Sequence, residues 1–202
     1  IIYLIFKIYK ARLQEYNKEE VLQAAMQVYW AKGYHGTSMQ DLVDATGLNR
    51  SSIYNSFDSK LKLYLLTLQF YQKESGSLFQ KALLKANTPL EAIRFIFEIF
   101  IPSMVKESSS KGCYLMSCKT ELGKQKGEIQ DWLLNNQENS LKFFKDLVTE
   151  GQKQGCINKK ESADAYAYYL FSAFQGYRMT GILVTEERIL KNIIKNTIEV
   201  IK

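Results

Sequence analysis

Residues 33–60 read GYHGTSMQDLVDATGLNRSSIYNSFDSK and contain two short helical patterns separated by a glycine. Ser38 is a good cap for the first helix, and Gly47 ends that helix where a left-handed backbone is needed. Asn49 is a good cap for the second helix, which covers residues 50–57. A short helix, a tight turn and a second short helix predict a helix-turn-helix, whose second helix enters the major groove of DNA.

Helical patterns continue on both sides of this unit. Residues 18–32 carry apolar side chains at helical spacing and end at Gly33, and another helix follows Asp58-Ser59. Thr88-Pro89 opens a helix that continues through Phe100, because proline is well tolerated at the first helical position. Residues 108–112 are predicted to form a loop. The remaining helices are predicted at 114–122, 128–153, 162 to about 183, and 186–202. Because no segment shows strand alternation, the predicted fold class is all-α.

The charge distribution does not by itself identify a partner. The formal net charge is +6, which permits an anionic partner without naming one. Residues 1–60 hold seven Lys or Arg against six Asp or Glu, so the positive excess is spread over the rest of the chain.

The ends and the cysteines indicate where the protein works. The apolar run 1–6 is far too short to span a bilayer, so no membrane partner is expected. Residues 1–16 are expected to be a flexible or frayed extension. Cys113, Cys118 and Cys156 form neither a metal-type pair nor an even disulfide framework, which favours a reducing cytoplasm. Small buried hydrophobic side chains are the preferred interpretation of Cys113 and Cys118, and a redox-sensing pair is the alternative.

The parts of a catalytic site are missing from the sequence. His35 is the only histidine, and no other residue lies at metal-ligand spacing from it. The sequence has no activated serine, no phosphate-binding glycine loop and no carboxylate–histidine cluster. We therefore expect a protein that is not an enzyme and that needs no metal or cofactor.

The motifs within residues 33–60 also occur together in a known family. They are Gly33-Tyr34, Thr37-Ser38, Ala45-Thr46-Gly47, Tyr54-Asn55-Ser56-Phe57 and Ser59-Lys60. In this order and spacing, the chain resembles the TetR family of bacterial transcriptional regulators (TetR/AcrR type), most closely over residues 18–66. The resemblance implies a three-helix DNA-binding domain over 1–62 and a helical ligand-binding and dimerisation domain over 63–202.

The resemblance also implies how the first domain binds double-stranded DNA with a palindromic operator. Thr37 and Ser38 place hydroxyl and backbone N–H groups at a helix N-terminus, where a phosphate is favoured. Arg50 suits a guanine edge or a phosphate, and Asn55 an adenine edge or a phosphate. Tyr54 is assigned to the DNA backbone, with a core aromatic as the alternative. The DNA-binding residues implied are Thr37, Ser38, Arg50, Ser51, Ser52, Tyr54, Asn55 and Lys60.

For the second domain, the resemblance implies an effector pocket and a homodimer interface on the last two helices. Aromatic and methionine side chains are the expected pocket lining; they favour an aromatic or lipophilic effector with few charges, although the same spacing suits a plain core. The predicted lining is Phe97, Phe100, Met104, Tyr114, Met116, Trp132 and Phe144. The predicted dimer interface is Tyr169, Phe174, Tyr177, Ile189 and Ile193.

The function implied is a ligand-responsive repressor that a small effector releases from DNA by shifting the populations of two states. Two alternatives stay open. A non-sensing DNA binder of the nucleoid or division type would have a filled bundle without a cavity. A helical protein-interaction module would not bind DNA at all.

Overall fold

The structure, a computed structural model, describes residues 16–106 and 112–202. These residues are mostly helical and contain no β-strand, which confirms the all-α prediction. Most of the predicted N-terminal extension (1–16) and of the predicted loop (108–112) lies outside the described residues. The helices are α1 (Lys18–Gly36), α2 (Met39–Thr46), α3 (Arg50–Phe57), α4 (Lys60–Lys85), α5 (Pro89–Glu98), α6 (Ile101–Val105), α7 (Tyr114–Leu122), α8 (Glu128–Gln154), α9 (Ala163–Thr180) and α10 (Glu187–Ile201).

The described chain divides into two compact units between Phe70 and Tyr71, inside α4. The first unit contains α1 to α3 and the start of α4. Ile53 and Phe57 of α3 both point into its core, because residues four apart lie on one face of a helix. The buried apolar side chains of this unit are Val21, Leu22, Ala25, Met26, Tyr29, Leu42, Leu48, Ile53, Phe57, Leu63, Tyr64, Leu65 and Leu68.

Local capping sets the helix ends of the first unit as the sequence predicts. The Ser38 side chain caps α2, and the Asn49 side chain caps α3. Gly47 ends α2 with a φ of 69°, a left-handed backbone that glycine adopts without strain. Although α1 is continuous to Gly36, Gly33 has a φ of 73° and a ψ of 173°, so the regular helix breaks where the sequence predicts its end.

The second unit is a bundle of the remaining helices around a core rich in phenylalanine. One cluster of buried apolar residues in this unit comprises Ala82, Ile93, Ile96, Phe97, Phe100, Ile101, Met104, Phe144, Val148, Ile157, Tyr166, Ala167, Leu170, Tyr177, Leu190, Ile194, Ile198 and Ile201. No helix in residues 16–106 or 112–202 combines the length and the apolar character that a membrane span requires.

Two helix ends in this unit differ from the sequence prediction. The single helix predicted from Thr88 through Phe100 is two helices, because α5 ends at Glu98 and α6 begins at Ile101. Pro102 has no N–H to donate to the carbonyl of Glu98, four residues earlier, so the helix cannot continue unbroken. The predicted helix from 162 to about 183 ends earlier, at Thr180.

Gly181, directly after α9, is a point of close packing within the unit. A Cβ atom at this position would lie 2.5 Å from the Met104 sulfur, so Gly181 allows α9 to end against α6. Gly176, in contrast, is exposed, and a Cβ atom there would meet nothing within 4 Å.

Candidate functional site

Helix α3 has a polar outer face opposite its buried inner face. Arg50, Ser51 and Asn55 are exposed, and Ser52 is half-buried with its N–H donating to Asn49 Oδ1 at 2.8 Å. The Tyr54 side chain is 39% exposed, so it lies outside the core. The helix therefore carries a row of hydrogen-bonding groups that are open to a partner.

The contact between Arg50 and Tyr54 joins two of these groups. The guanidinium carbon of Arg50 lies 5.9 Å from the centre of the Tyr54 ring, at the outer limit of a cation–π contact. Arg50 is exposed, and its guanidinium forms no ion pair with the described residues. Arg50 thus has the donors that a base edge or a phosphate requires.

The N-terminus of α2 forms a closed capping box. Ser38 Oγ accepts a hydrogen bond from the Asp41 N–H at 3.1 Å and donates to Asp41 Oδ2 at 2.8 Å. The Ser38 N–H also donates to Asp41 Oδ2, at 2.8 Å. The N–H groups of Met39 and Gln40, in the first turn, have no acceptor within the helix and suit an anion such as a DNA phosphate.

A contact between the Thr37 hydroxyl and DNA requires that hydroxyl to be exposed, and it is not. The residue is 2% exposed, and its hydroxyl donates to the Gly33 carbonyl at 2.6 Å. This hydrogen bond holds the turn between α1 and α2. The Thr37 hydroxyl is therefore committed to the protein, whereas Ser38 is exposed.

Lys60 anchors the start of α4 to the end of α1. Its Nζ donates to the Tyr34 carbonyl at 2.6 Å and lies 4.4 Å from the centre of the Tyr34 ring. The Tyr29 hydroxyl donates to the Lys60 carbonyl at 3.0 Å. Because an ammonium group has three donors, Lys60 keeps hydrogens for a phosphate while it holds the two helices together.

An ion pair supports the capping box from α1. Lys32 Nζ lies 2.6 Å from Asp41 Oδ1. This hydrogen bond, together with those from the Ser38 N–H and hydroxyl, lowers the pKa of Asp41 to about 2. A lowered pKa in the folded state means that ionised Asp41 stabilises the fold above its ordinary pKa, and that this contribution is lost as the pH falls toward 2.

Asp41→Asn is therefore expected to lower the Tm at neutral pH and to flatten its pH dependence. The amide keeps the size of the side chain, but it cannot pair with Lys32 as an anion. Between pH 4 and pH 2, the wild-type Tm should fall more steeply than that of the variant, as calorimetry at matched salt would record. Asp44→Asn is the matched control, since Asp44 lies on the same helix and has no ion pair among the described residues. Parallel pH profiles of wild type and Asp41→Asn would contradict this role.

The second unit contains a cavity of about 220 Å³. Its wall includes seven aromatic side chains, four amides and two cations. The lining is Tyr71, Gln72, Ser75, Gly76, Phe79, Phe100, Cys113, Leu115, Met116, Lys119, Asn136, Asn139, Ser140, Phe143, Phe144, Phe171, Phe174, Gln175 and Arg178. Phe100, Met116 and Phe144 are the members of this wall that the sequence analysis selected.

The other four residues selected for the pocket lie elsewhere. Phe97 is fully buried in the core, with its ring centre 5.3 Å from that of Phe174. Met104 packs on Gly181, and Tyr114 is a buried core residue beside Tyr71. Trp132 is half-buried on α8 and does not reach the lining. Their prediction as lining is wrong, because aromatic residues at helical spacing also serve the core of a bundle.

Two of the five predicted interface residues are also inside the unit. Phe174 makes ring contacts with Phe79, Phe97, Phe100 and Phe144, and Tyr177 is buried. Both lie on the inner side of α9, four and seven residues after Leu170 and facing the same core. Tyr169, Ile189 and Ile193 are half-buried. The exposed face of α9 instead carries Tyr168 and Met179.

The polar part of the cavity wall, above all Lys119, Asn136 and Arg178, was not predicted from the sequence. A signal for Arg178 was present, since it is the only charged residue from Ala165 to Val184. A single charge in a long apolar stretch is expected to be buried with a function or a partner.

Comparison with known proteins covers both units. Residues 21–66 match the family model for bacterial regulatory proteins of the tetR family. Residues 89–196, more than half of the chain, match the model for the tetracyclin repressor-like C-terminal domain.

Individual relatives agree with the family models. The HTH-type transcriptional regulator YezE of Bacillus subtilis is 26% identical over 160 residues, which cover 79% of this chain and 82% of YezE. The HTH-type transcriptional repressor DhaR of Mycobacterium sp. is 25% identical over 159 residues, 79% of each chain. The solved structure of the TetR-family regulator CifR with 26-bp operator DNA has a TM-score of 0.78 at 20% identity, covering 93% of this chain and 98% of CifR. The fold, the helix-turn-helix and the two family matches together show that this chain belongs to the TetR family of DNA-binding bacterial transcriptional regulators.

Proposed function

We propose that this regulator is a homodimeric repressor that binds a two-fold symmetric operator through α3 and is released by a small effector. The observation that carries the proposal is the division of α3 into two faces. Its outer face carries exposed polar side chains, and its inner face is buried in the core of the first unit. This arrangement suits a recognition helix, because the side chains that meet the base edges need a rigid support.

The residues of α3 and α2 divide into two roles. Arg50 and Asn55 are exposed and carry the donors and acceptors for base edges or phosphates. Ser38 and the free N–H groups at the start of α2, with Lys60 at the start of α4, suit the DNA backbone. The CifR structure contains operator DNA, and the likeness in fold supports the same mode of binding here.

The dimer is proposed to form through the last two helices. Tyr168 and Met179 are large apolar side chains exposed on α9, and Gly176 on that helix leaves open space for a partner to approach. On α10, Ile189 and Ile193 are only half-buried. Exposed apolar groups on a pair of terminal helices favour a self-complementary contact between two copies of the chain.

The cavity supports effector sensing over the non-sensing alternative, for which a filled bundle is expected. Its aromatic wall suits a small effector with an apolar body. α4 begins at Lys60 in the first unit and contributes Tyr71 and Phe79 to the cavity wall. We propose that the effector acts by preferring one of two positions of this helix, because a ligand shifts an equilibrium only through its differential affinity for the two states.

The test is fluorescence-anisotropy titration of the purified protein with the DNA upstream of its own gene and with scrambled DNA at the same salt. Dimers are expected to bind the upstream DNA selectively, at a two-fold symmetric site. Equal and steeply salt-dependent affinity for both DNAs would favour the non-sensing binder. Absence of binding to either DNA would favour the protein-interaction module.

A further inference from the structure

Arg178 is a buried cation on the wall of the cavity. It lies in the last turn of α9 and is only 6% exposed. A guanidinium group keeps its charge at every pH that a folded protein meets. Because a buried charge is costly unless it is paired, Arg178 needs an anionic partner or a function.

The partners of Arg178 among the described residues are neutral. Its Nη2 donates to the Gly112 carbonyl at 3.0 Å and to the Tyr71 hydroxyl at 3.4 Å. Burial raises the pKa of Tyr71, so the phenol remains protonated and supplies no negative charge. Among the described residues, no Asp or Glu lies within ion-pair distance of Arg178. By comparison, the exposed Arg94 of the same unit does have an acidic partner, Glu98, at 3.8 Å.

Two further contacts stabilise the cation without neutralising it. The guanidinium carbon lies 3.7 Å from the centre of the Phe100 ring, a close cation–π contact. The C-terminal end of α9 also favours a positive charge through the helix dipole. Even so, Arg178 Nε is buried without a hydrogen-bond partner among the described residues. The described residues therefore stabilise the positive charge of Arg178 without supplying an anion to it.

The rest of the described wall reinforces this charge. The lining residues include Lys119 as a second cation and no carboxylate. The Lys119 Nζ lies 4.9 Å from the centre of the Phe171 ring, and burial lowers its pKa. Asn136, on the same wall, is a buried amide. Around these polar groups, Phe79, Phe143 and Phe174 form an apolar surface.

We propose that the cavity binds a compact organic carboxylate, with its carboxylate on Arg178 and its apolar body among the phenylalanine rings. A planar carboxylate matches the fork of a guanidinium group. The cavity, at about 220 Å³, is smaller than the roughly 300–1,000 Å³ of pockets for drug-sized molecules, which favours a short aryl- or alkyl-carboxylate. The inference rests on the proposed effector role of the cavity, and it changes the expected effector from a molecule with few charges to an anion.

The first test needs no variant. Isothermal titration calorimetry of the DNA-free, full-chain protein would compare 4-phenylbutanoate with 4-phenylbutanamide, and octanoate with octanamide. Each carboxylate is expected to bind at least about tenfold more tightly than its amide, since only the carboxylate forms charge-assisted hydrogen bonds with Arg178. Equal affinity within both pairs would overturn the proposal, and so would the absence of binding by both carboxylates.

The second test assigns the preference to Arg178. Arg178→Met keeps most of the side-chain volume and removes a buried charge that has no anionic partner among the described residues, so the fold is expected to persist. In this variant, the carboxylate and the amide should bind equally well. Arg94→Met is the matched control, because Arg94 is an exposed arginine of the same unit outside the cavity wall. A carboxylate preference that survives in Arg178→Met would overturn the assignment; circular dichroism checks the fold of both variants.

Operator binding is measured separately, so the two proposals can fail independently. Operator affinity is measured for wild type and for Arg178→Met, each without ligand and with added 4-phenylbutanoate. Added 4-phenylbutanoate should weaken operator binding by wild type and leave Arg178→Met unaffected. Binding of the carboxylate in a protein that does not bind DNA would support the anion site and reject the repressor function. Selective DNA binding by a protein that binds each carboxylate and its amide equally well would support the DNA-binding function and reject the anion site.

Discussion

Met179→Glu is expected to convert the proposed homodimer into monomers and to weaken operator binding by about 100-fold or more, because each monomer then holds only one half-site. Met179 is 43% exposed on α9, so the substitution leaves the core of the unit intact. In a two-fold interface, the new carboxylate appears twice, once from each subunit, and both charges lose water without gaining a partner. Size-exclusion chromatography with light scattering measures the mass, and anisotropy measures the affinity.

Leu134→Glu is the control for this experiment. Leu134 is 56% exposed on α8, so Leu134→Glu introduces the same charge at an apolar surface position outside α9 and α10. The control should remain dimeric and bind the operator like wild type. A dimer that persists in Met179→Glu, with unchanged operator affinity, would place the interface on another surface.

Arg50→Ala is expected to weaken operator binding roughly 5- to 150-fold, the range for the loss of one good contact to a base edge. Arg50 is exposed, and its contact with the Tyr54 ring is at long range, so the fold of α3 should be unaffected. Anisotropy on operator and scrambled DNA separates the two roles that the sequence left open. A guanine contact predicts a loss on the operator alone, while a phosphate contact predicts a similar loss on both DNAs and a smaller salt slope.

Arg94→Ala is the control for Arg50→Ala, since it removes an exposed arginine from the second unit. Tyr54→Phe extends the test, because it removes the hydroxyl while keeping the ring beside Arg50. We expect a smaller loss from Tyr54→Phe, with the same magnitude on both DNAs. Unchanged affinity in both Arg50→Ala and Tyr54→Phe would show that α3 is not the recognition helix.

Local rules made the first unit predictable from its sequence. Ser38, Gly47 and Asn49 act within a few residues of themselves, through a side-chain cap or a left-handed backbone. The inner and outer faces of α3 follow from helical spacing alone, which separates Ile53 and Phe57 from the polar residues. Thr37 is the exception in this unit, since its burial depends on how α1 and α2 meet.

The second unit was predictable in its helices and much less so in their surroundings. Pro102 shows the limit of predicting helices from apolar spacing alone. The spacing predicts one continuous helix, but the missing N–H of Pro102 divides it into α5 and α6. Phe174 and Tyr177 show a second limit, because α9 has apolar residues over a wide arc that serves both the core and the surface. Spacing places residues on an arc, but it cannot say which part of that arc meets another helix.

The sequence by itself determined the all-α fold, the helix-turn-helix and the outer face of its second helix, because each depends on neighbours in the chain. Only the tertiary structure decided where the cavity lies and which side chains reach it. A cavity is the space left where several helices fail to fill the centre of a bundle, and no single helix encodes it. Arg178 belongs to this second class: its charge is visible in the sequence, but its burial beside neutral partners follows from packing.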